Sequence, residues 1–467
     1  LGTTLGWDGF DVVRWHAVAE ISRPFEYDIV VARPARDAAV EIHDLVGTGA
    51  TFRMACAVGW RSIHGLIAEA EIIDATATLL LYRVLLVPHL WRSQHRRHCR
   101  TFVEQSLCDI LREVRSNRAP DGSAGAGGLA ELSEPPSPSN ASPEFEGFEE
   151  PIGRFRFALV DDERATRPRR FVVQYNETDF AFVSRLLEAE GLSYLFEHTD
   201  NECVMTVTDR PGHGSSADRD ETLELVGMDQ SGTARGQEVV RAWRPVRRLR
   251  STAVTMRDYA WRKSSTMLQA KARGGTGAAA LLEHYEYPAS DEDDPRQPGQ
   301  APADIQLERY QIEQAISEGL STVRTHEPGG RFRLHDRAGL RSDAELLVVG
   351  VETYAAELLP EGTVLDAEPF GFAGASPKRG AFFESRFQSV PSTLRYRPAR
   401  ATPAPRIDGV QTAQVTAEQG DSEAAMSLHS DEFGRVRVRF PWDERPADGT
   451  PSSKWIRVSQ PWAGRNW

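Results

Sequence analysis

Between Glu432 and Glu444 the chain reads EFGRVRVRFPWDE, and past Gly434 the residues Arg435, Arg437 and Arg439 alternate with Val436, Val438 and Phe440. Side chains of an extended strand point to opposite faces in turn, so the run has one arginine face and one apolar face, an arrangement a helix cannot keep. A period of two dictates a sheet, and the apolar face of a sheet must be buried against another layer. Little chain remains before Trp467 to close a sheet around this strand.

Strand-forming composition recurs upstream. Phe25–Ala32 (FEYDIVVA) and Leu79–Val87 (LLLYRVLLV) are rich in β-branched and aromatic residues. Thr101 and Glu104 have capping-box spacing, and Val103, Leu107, Ile110, Leu111 and Val114 follow at helical spacing, which predicts a helix there. A second helix is expected after Asn176 or Thr178, with Phe182, Val183, Leu186 and Leu187 inward, Gly191 ending it in the left-handed region, and Leu192, Tyr194 and Phe196 alternating beyond it. Further strands are expected at Ala253–Tyr259, Phe332–His335 and Glu345–Tyr354, and at QTAQVT and KWIRVS near the end.

Punctuation divides the chain. Residues 117–150 are rich in Gly, Pro, Ser and acids, with too little apolar surface to offset their ordering entropy, and read as a flexible linker. Pro288–Pro302 is a second acidic, proline-bearing stretch expected to be weakly ordered. The prolines of residues 391–409 disfavour both helix and central strand, which marks a linker. The expected organisation is a first β-domain over 1–116, the linker 117–150, a larger unit over 151–390, the proline-rich linker 391–409 and a strand-rich unit over 410–467.

Composition excludes several function classes. A net charge of -13 argues against a surface built to neutralise nucleic-acid phosphates. No apolar run reaches the roughly 20 residues a membrane helix needs, and residues 1–30 show no signal-peptide pattern. Cys56, Cys99, Cys108 and Cys203 form no CxxC pair and read as free, mostly buried thiols.

Candidate chemical motifs fail on context. His89, His95, His98 and Cys99 lie close together, but Arg92, Arg96 and Arg97 among them would repel a cation, so the run reads as a basic loop leading into the capped helix. GGTGAAA at 274–280 lacks the strand that should precede a dinucleotide-binding turn, and DGSAGAGGL lacks the lysine of a P-loop. Gly420, Asp421 and Ser422 spell GDS without a nucleophile elbow. Asp291 with Asp293, and Glu149 with Glu150, sit in polar runs that promise no burial. The arginine comb has its aromatics, Phe440 and Trp442, on the opposite face, so bases would have nothing to stack on; its arginines are expected to face solvent or a neighbouring subunit. No catalytic residue, cofactor or metal is assigned.

Seven stretches, in order, resemble the VgrG family, the spike-tip proteins of bacterial type VI secretion systems and relatives of contractile-phage tail hub and needle proteins. DEFGRVRVRFPWDE, followed by SSKWIRVSQPWAG, is similar to that family's OB-fold signature. The matching positions are Asp431, Gly434, Arg435, Val436, Val438, Phe440, Trp442 and Asp443, then Trp455, Arg457, Val458, Trp462 and Gly464. YNETDFAFVSRLLEAEGLSYLFEH resembles the hub helix and strand through Asn176, Asp179, Phe182, Gly191, Tyr194 and Phe196. VTMRDYAWRKSSTML, with Asp258 and Tyr259, and then HYEYP, QLER and RFRLHD resemble later hub motifs, and ISRPFEYDIVV the first strands. Tyr354 departs from the pattern, standing where the family often shows a histidine.

The resemblance implies a mainly β protein with α+β elements, in which phage-tail-hub-like β-barrel domains precede an incomplete OB-fold barrel. An OB-fold needs five strands, and 410–467 supplies about three, so the remainder and a β-helix needle are expected beyond Trp467. It further implies a homotrimer that docks on the hexameric Hcp tube, with a PAAR-repeat protein and effectors at its far end. Neither nucleic-acid binding nor stable membrane insertion is implied. Such a protein is cytoplasmic until assembly and is then secreted through the apparatus without a signal peptide. A hub of a phage or phage-like contractile particle shares the fold and is the alternative; an effector-enzyme carrier and an OB-fold nucleic-acid binder are the remaining readings.

Overall fold

Six strands close into a barrel, and one of them is long enough to leave it. The computed structural model describes, apart from a few single positions, residues 1–115, 154–212, 218–226, 238–259, 267–274, 282–287, 300–336, 343–356, 382–416, 430–444 and 453–459. The barrel runs Arg331–Asp336, Asp218–Leu225, Val240–Arg244, Ser317–Ser321, Phe382–Pro391 and Ala344–Ala356, and closes where Ala344–Ala356 pairs back onto Arg331–Asp336. Inward alternation fills it with Leu223, Val240, Phe332, Leu334, Leu346, Val348 and Phe387.

The strand Ala344–Ala356 shifts register between Val348 and Gly350, and beyond the shift it pairs with Asp11–Glu20. From there the sheet continues through Glu26–Pro34, Leu79–Val87, Gly59–Ala75 and Gly49–Cys56. One face of this extension is an aromatic core of Phe10, Trp15, Phe25, Tyr27, Phe52 and Tyr82. Strands from both sides of the 117–150 stretch therefore share one sheet. Arg61, on Gly59–Ala75, donates to the carbonyls of Arg324 and His326 at 3.1 and 3.0 Å and pairs with Glu327 at 3.0 Å, tying the extension to the barrel.

A third core lies between the antiparallel pair of Arg97–Gln105 with Arg169–Thr178 and the helices Leu107–Arg115 and Asp179–Glu190. Helix Asp179–Glu190 begins where the sequence predicts: Thr178 Oγ1 accepts the Ala181 N–H at 3.1 Å, and Gly191, at φ 66°, ends it in the left-handed region. Phe182, Val183, Leu186 and Leu187 are all buried.

Other expectations are corrected. Thr101 and Glu104 lie in strand Arg97–Gln105, and the helix that follows spans only Leu107–Arg115. Ser106 caps it, its hydroxyl accepting from the Asp109 N–H at 3.1 Å and donating to the Asp109 carboxylate. The supposed basic loop is a 3-10 helix, His89–His95, followed directly by that strand. Pro302 belongs to helix Gln300–Ala315, in the first turn, where proline's missing N–H costs nothing. That helix packs on the sheet of Ala253–Tyr259, Met267–Arg273 and Glu283–Glu286 through Ala303 and Leu307. Of the cysteines, only Cys108 is fully buried. The linker 117–150 lies outside the described residues, as do the GDS triplet, DGSAGAGGL, Asp291 with Asp293, Glu149 with Glu150, and GGTGAAA beyond Gly274.

The proline-rich stretch after Pro391 forms neither helix nor strand, yet it is strapped down. Arg397, only 2% exposed, donates to Glu308 Oε2 at 2.6 Å and to the Gly191 carbonyl at 2.8 Å. Arg395 pairs with Asp209, Arg400 with Glu286 and Thr402 with Glu188.

Candidate functional site at the joint of the C-terminal strands

The arginine comb is a shorter strand than its alternation predicts. Only Val438–Arg439 forms a ladder, antiparallel to Gln414–Val415, with single bridges from Val436 to Ser430 and Ile456. The reason is local. Gly434 turns at φ 67°, and Arg435 folds back on Asp431, Nε to Oδ2 at 2.7 Å, spending on a turn the residues a longer ladder would need. Arg435 is therefore buried, at 5% exposure, rather than solvated. Arg437 lies over the Trp455 ring, 4.8 Å from its centroid, and Arg439 is half-buried. Arg435 and Arg437 are thus engaged within the chain, which removes the basis for a phosphate-reading face.

The apolar face does leave its own unit. Phe440 and Trp442 stack at 4.8 Å, and Trp442 meets the Tyr175 ring edge-on at 5.2 Å. The next two residues complete the contact. Asp443 accepts from Thr101 Oγ1 at 2.6 Å, and the Glu444 N–H donates to the Cys99 carbonyl at 3.0 Å. Glu444 Oε1 accepts the Cys99 N–H at 2.9 Å, and Oε2 lies 2.8 Å from His98 Nδ1.

The receiving surface is built by a register fault. Strand Arg97–Gln105 pairs with Arg169–Thr178 at His98–Glu177 and next at Arg100–Gln174, so Cys99 is skipped. Asn176, opposite, takes φ 48° and points its N–H at Cys99 Sγ, 3.2 Å away. The main-chain groups of Cys99 that the ladder leaves out are those Glu444 takes. Beneath lies Asp179, 0% exposed, ion-paired with Arg100 and accepting from Gln174 at 2.9 Å, with Arg96 3.5 Å away. Burial lowers the Arg100 pKa, and Asp179 pulls it back up.

The structure thus brings together two pairs from the resemblance, Asn176 with Asp179 and Trp442 with Asp443, that stand more than 250 positions apart in the sequence. The signature's other members lie apart from this joint. Asp431, Gly434 and Arg435 form the turn, Val438 is buried beneath it, Val436 is half-buried, and Arg457 and Val458 are exposed. Phe182 stacks on Phe102 at 5.3 Å, Tyr194 is 1% exposed, and Phe196 meets Phe25 edge-on at 5.3 Å. Asp258 is buried beside exposed Tyr259, whose N–H its carboxylate accepts at 2.7 Å. Trp462 and Gly464 lie outside the described residues. Tyr354 stacks on His16 at 4.5 Å, and its hydroxyl donates to Glu352.

Sequence reasoning missed Glu444, His98, Cys99 and Thr101 as parts of a joint. His98 and Cys99 drew notice only as metal ligands; among the described residues no group of three or more His, Cys, Asp or Glu is placed to hold an ion. The one available signal was two consecutive acids after an aromatic, and in sequence these look like a solvated turn.

A six-strand barrel continued by a side sheet is a mainly β fold of the tail-hub kind. The chain belongs to the phage tail baseplate hub (GPD) family, whose model matches residues 18–131 and 148–358. It is 27% identical over 465 residues to the type VI secretion system spike protein VgrG1b of Pseudomonas aeruginosa, covering 99% of this chain and 55% of that protein. It is 24% identical over 404 residues to the actin cross-linking toxin VgrG1 of Vibrio cholerae, covering 86% of this chain and 32% of the toxin. Its fold is similar, with TM-score 0.59 and 21% identity over 96% of this chain and 90% of the other, to an E. coli component of the type VI secretion system that itself resembles the T4 bacteriophage tail proteins gp27 and gp5. The chain spans about half the length of VgrG1b.

Proposed function

We propose that these 467 residues form the hub and the start of the OB-fold collar of a type VI secretion spike. The observation that carries this reading is similarity over 99% of this chain to a type VI spike protein. In this reading three copies form the hub, which docks on the Hcp tube. The OB strands lead into a needle capped by a PAAR-repeat protein, and the assembly is secreted from the cytoplasm to puncture the target envelope. The task is structural. It needs a cyclic, self-complementary interface and stiff β-structure rather than a catalytic centre, and any effector activity belongs to segments outside these residues.

The test is the complete reading frame, expressed to its natural end. Light scattering should report a trimer, and the trimer should co-sediment with Hcp tubes; a clean monomer overturns the reading. Membership of the tail-hub family also supports a hub of a phage-like contractile particle. Adjacent genes for a type VI membrane complex favour the first reading, and adjacent phage tail genes without that complex favour the second.

A further inference from the structure

Among the described residues, two sets of contacts of different character hold the C-terminal strands to the rest of the molecule. The first is the strap, where Arg395, Arg397 and Arg400 each reach an acid and Thr402 donates its N–H and its hydroxyl to the Glu188 carboxylate. The second is the turn Trp442–Glu444 on the Cys99 bulge. Between them, residues 403–413 form neither helix nor strand, Val410 is fully exposed, and Gly409 sits at φ 99° with no atom within 4 Å of where its Cβ would be. Residues 406–412 are all exposed, so little opposes a rotation there.

We propose that Trp442–Glu444 is a releasable clasp: when it opens, the C-terminal strands swing about the 403–413 hinge while the arginine strap keeps the chain attached. Three observations carry this. The clasp is chiefly polar, made by two carboxylates and one ring edge; Glu444 and His98 reach solvent, so water can replace their contact first, and the buried Asp443–Thr101 bond is wetted only as the turn lifts. The C-terminal unit has its own internal bonds, the Gln414–Val415 ladder, the Val436–Ile456 bridge and the Asp431–Arg435 pair, none of which involves the strand pair beneath the clasp. The strand pair in turn has its own support: Asp179 is held by Arg100 and Gln174 without the turn. Each side can therefore stay ordered when they part. The device rests on the geometry of this chain and stands whether or not the spike reading does.

The experiment measures energy transfer between dyes carried by encoded residues at Glu432 and Arg112, both exposed, in the 467-residue chain. The unaltered chain should give one high-transfer population. Glu444→Ala combined with Asp443→Ala should add a low-transfer population, while hydrogen exchange at Val436 and Ile456 stays within about twofold of the parent. His98→Ala breaks the same contact from the other side and should also add the low-transfer population, which separates opening from misfolding of the turn. Unchanged transfer in both variants overturns the clasp. So does loss of protection at Val436 and Ile456 together with the new population, because the strands would then be melting rather than swinging.

Discussion

Gly319 lies directly opposite Phe387 in the barrel ladder, and a Cβ built on Gly319 would come within 2.2 Å of the Phe387 ring. Phe387 is 1% exposed and touches Phe332 and His326, so its ring has nowhere to retreat. Gly319→Ala should therefore destabilise the barrel by about 1–3 kcal/mol, the usual penalty for overpacking a filled core. Thermal unfolding would register the loss. The double variant Gly319→Ala, Phe387→Leu should recover part of it, and no shift in the single variant would mean that the ring is not held where the barrel places it.

Two histidines make the fold sensitive to acid. His326 sits against Phe332 and Phe387, where burial, reinforced by the nearby Arg61 charge, pushes its pKa down to about 3. His198 is likewise lowered by burial, then by Arg61 and His64. A folded pKa below the unfolded value means that the unfolded chain binds more protons below pH about 6.5. The stability is thus fully present above that pH and is lost as the pH falls toward the folded values, by up to about 1.4 kcal/mol per pH unit for each ring. Urea midpoints at pH 7, 5.5 and 4.5 should fall for the parent chain. His326→Leu should fall less steeply over the same range whatever its stability at pH 7, because carboxylates contribute equally to both slopes.

Much of the fold is legible because its signals are local. Leu79–Val87 and Ala253–Tyr259 form strands at the bounds that their apolar and β-branched runs predict, and Thr178 and Gly191 start and stop their helix by side-chain and backbone preferences that need no partner. The misses are positions where a distant residue decides. Glu444 is a surface acid until Cys99, 345 residues away, offers an unpaired N–H and C=O. Arg397 sits in a proline-rich run that reads as linker, and only Glu308 and the Gly191 carbonyl make it a buried anchor. The comb reads as a solvated face because nothing in its alternation reveals that Asp431 will bury Arg435 or that Trp455 will lie beneath Arg437.

That buried anchor should be costly to lose. Arg397→Ala would leave Glu308 and the Gly191 carbonyl facing a vacated, largely dry site, and breaking one partner of a buried ion pair typically costs about 3–5 kcal/mol. Arg397→Lys should recover little, since a single ammonium cannot reproduce the two directions in which the guanidinium donates. Thermal unfolding gives the magnitude, and faster trypsin cleavage after Arg400 and Arg406 would show that the strap has come loose. A lysine variant as stable as the parent would contradict the two-pronged anchor.

The helix Leu107–Arg115 offers a choice between two caps that one pair of variants can settle. If Ser106 is the cap, as its contacts with Asp109 require, Ser106→Ala should cost about 0.5–2 kcal/mol and raise exchange of the Asp109 amide. Glu104→Ala should leave that amide unchanged, because Glu104 belongs to the preceding strand, where its φ of 53° already makes it an unfavoured site for any side chain but glycine. Replacing Glu104 with glycine relieves that backbone cost and should stabilise the protein by a few tenths to about 1 kcal/mol. If exchange at Asp109 instead follows Glu104 and ignores Ser106, the spacing in the sequence is the better guide and the strand ends earlier than Gln105.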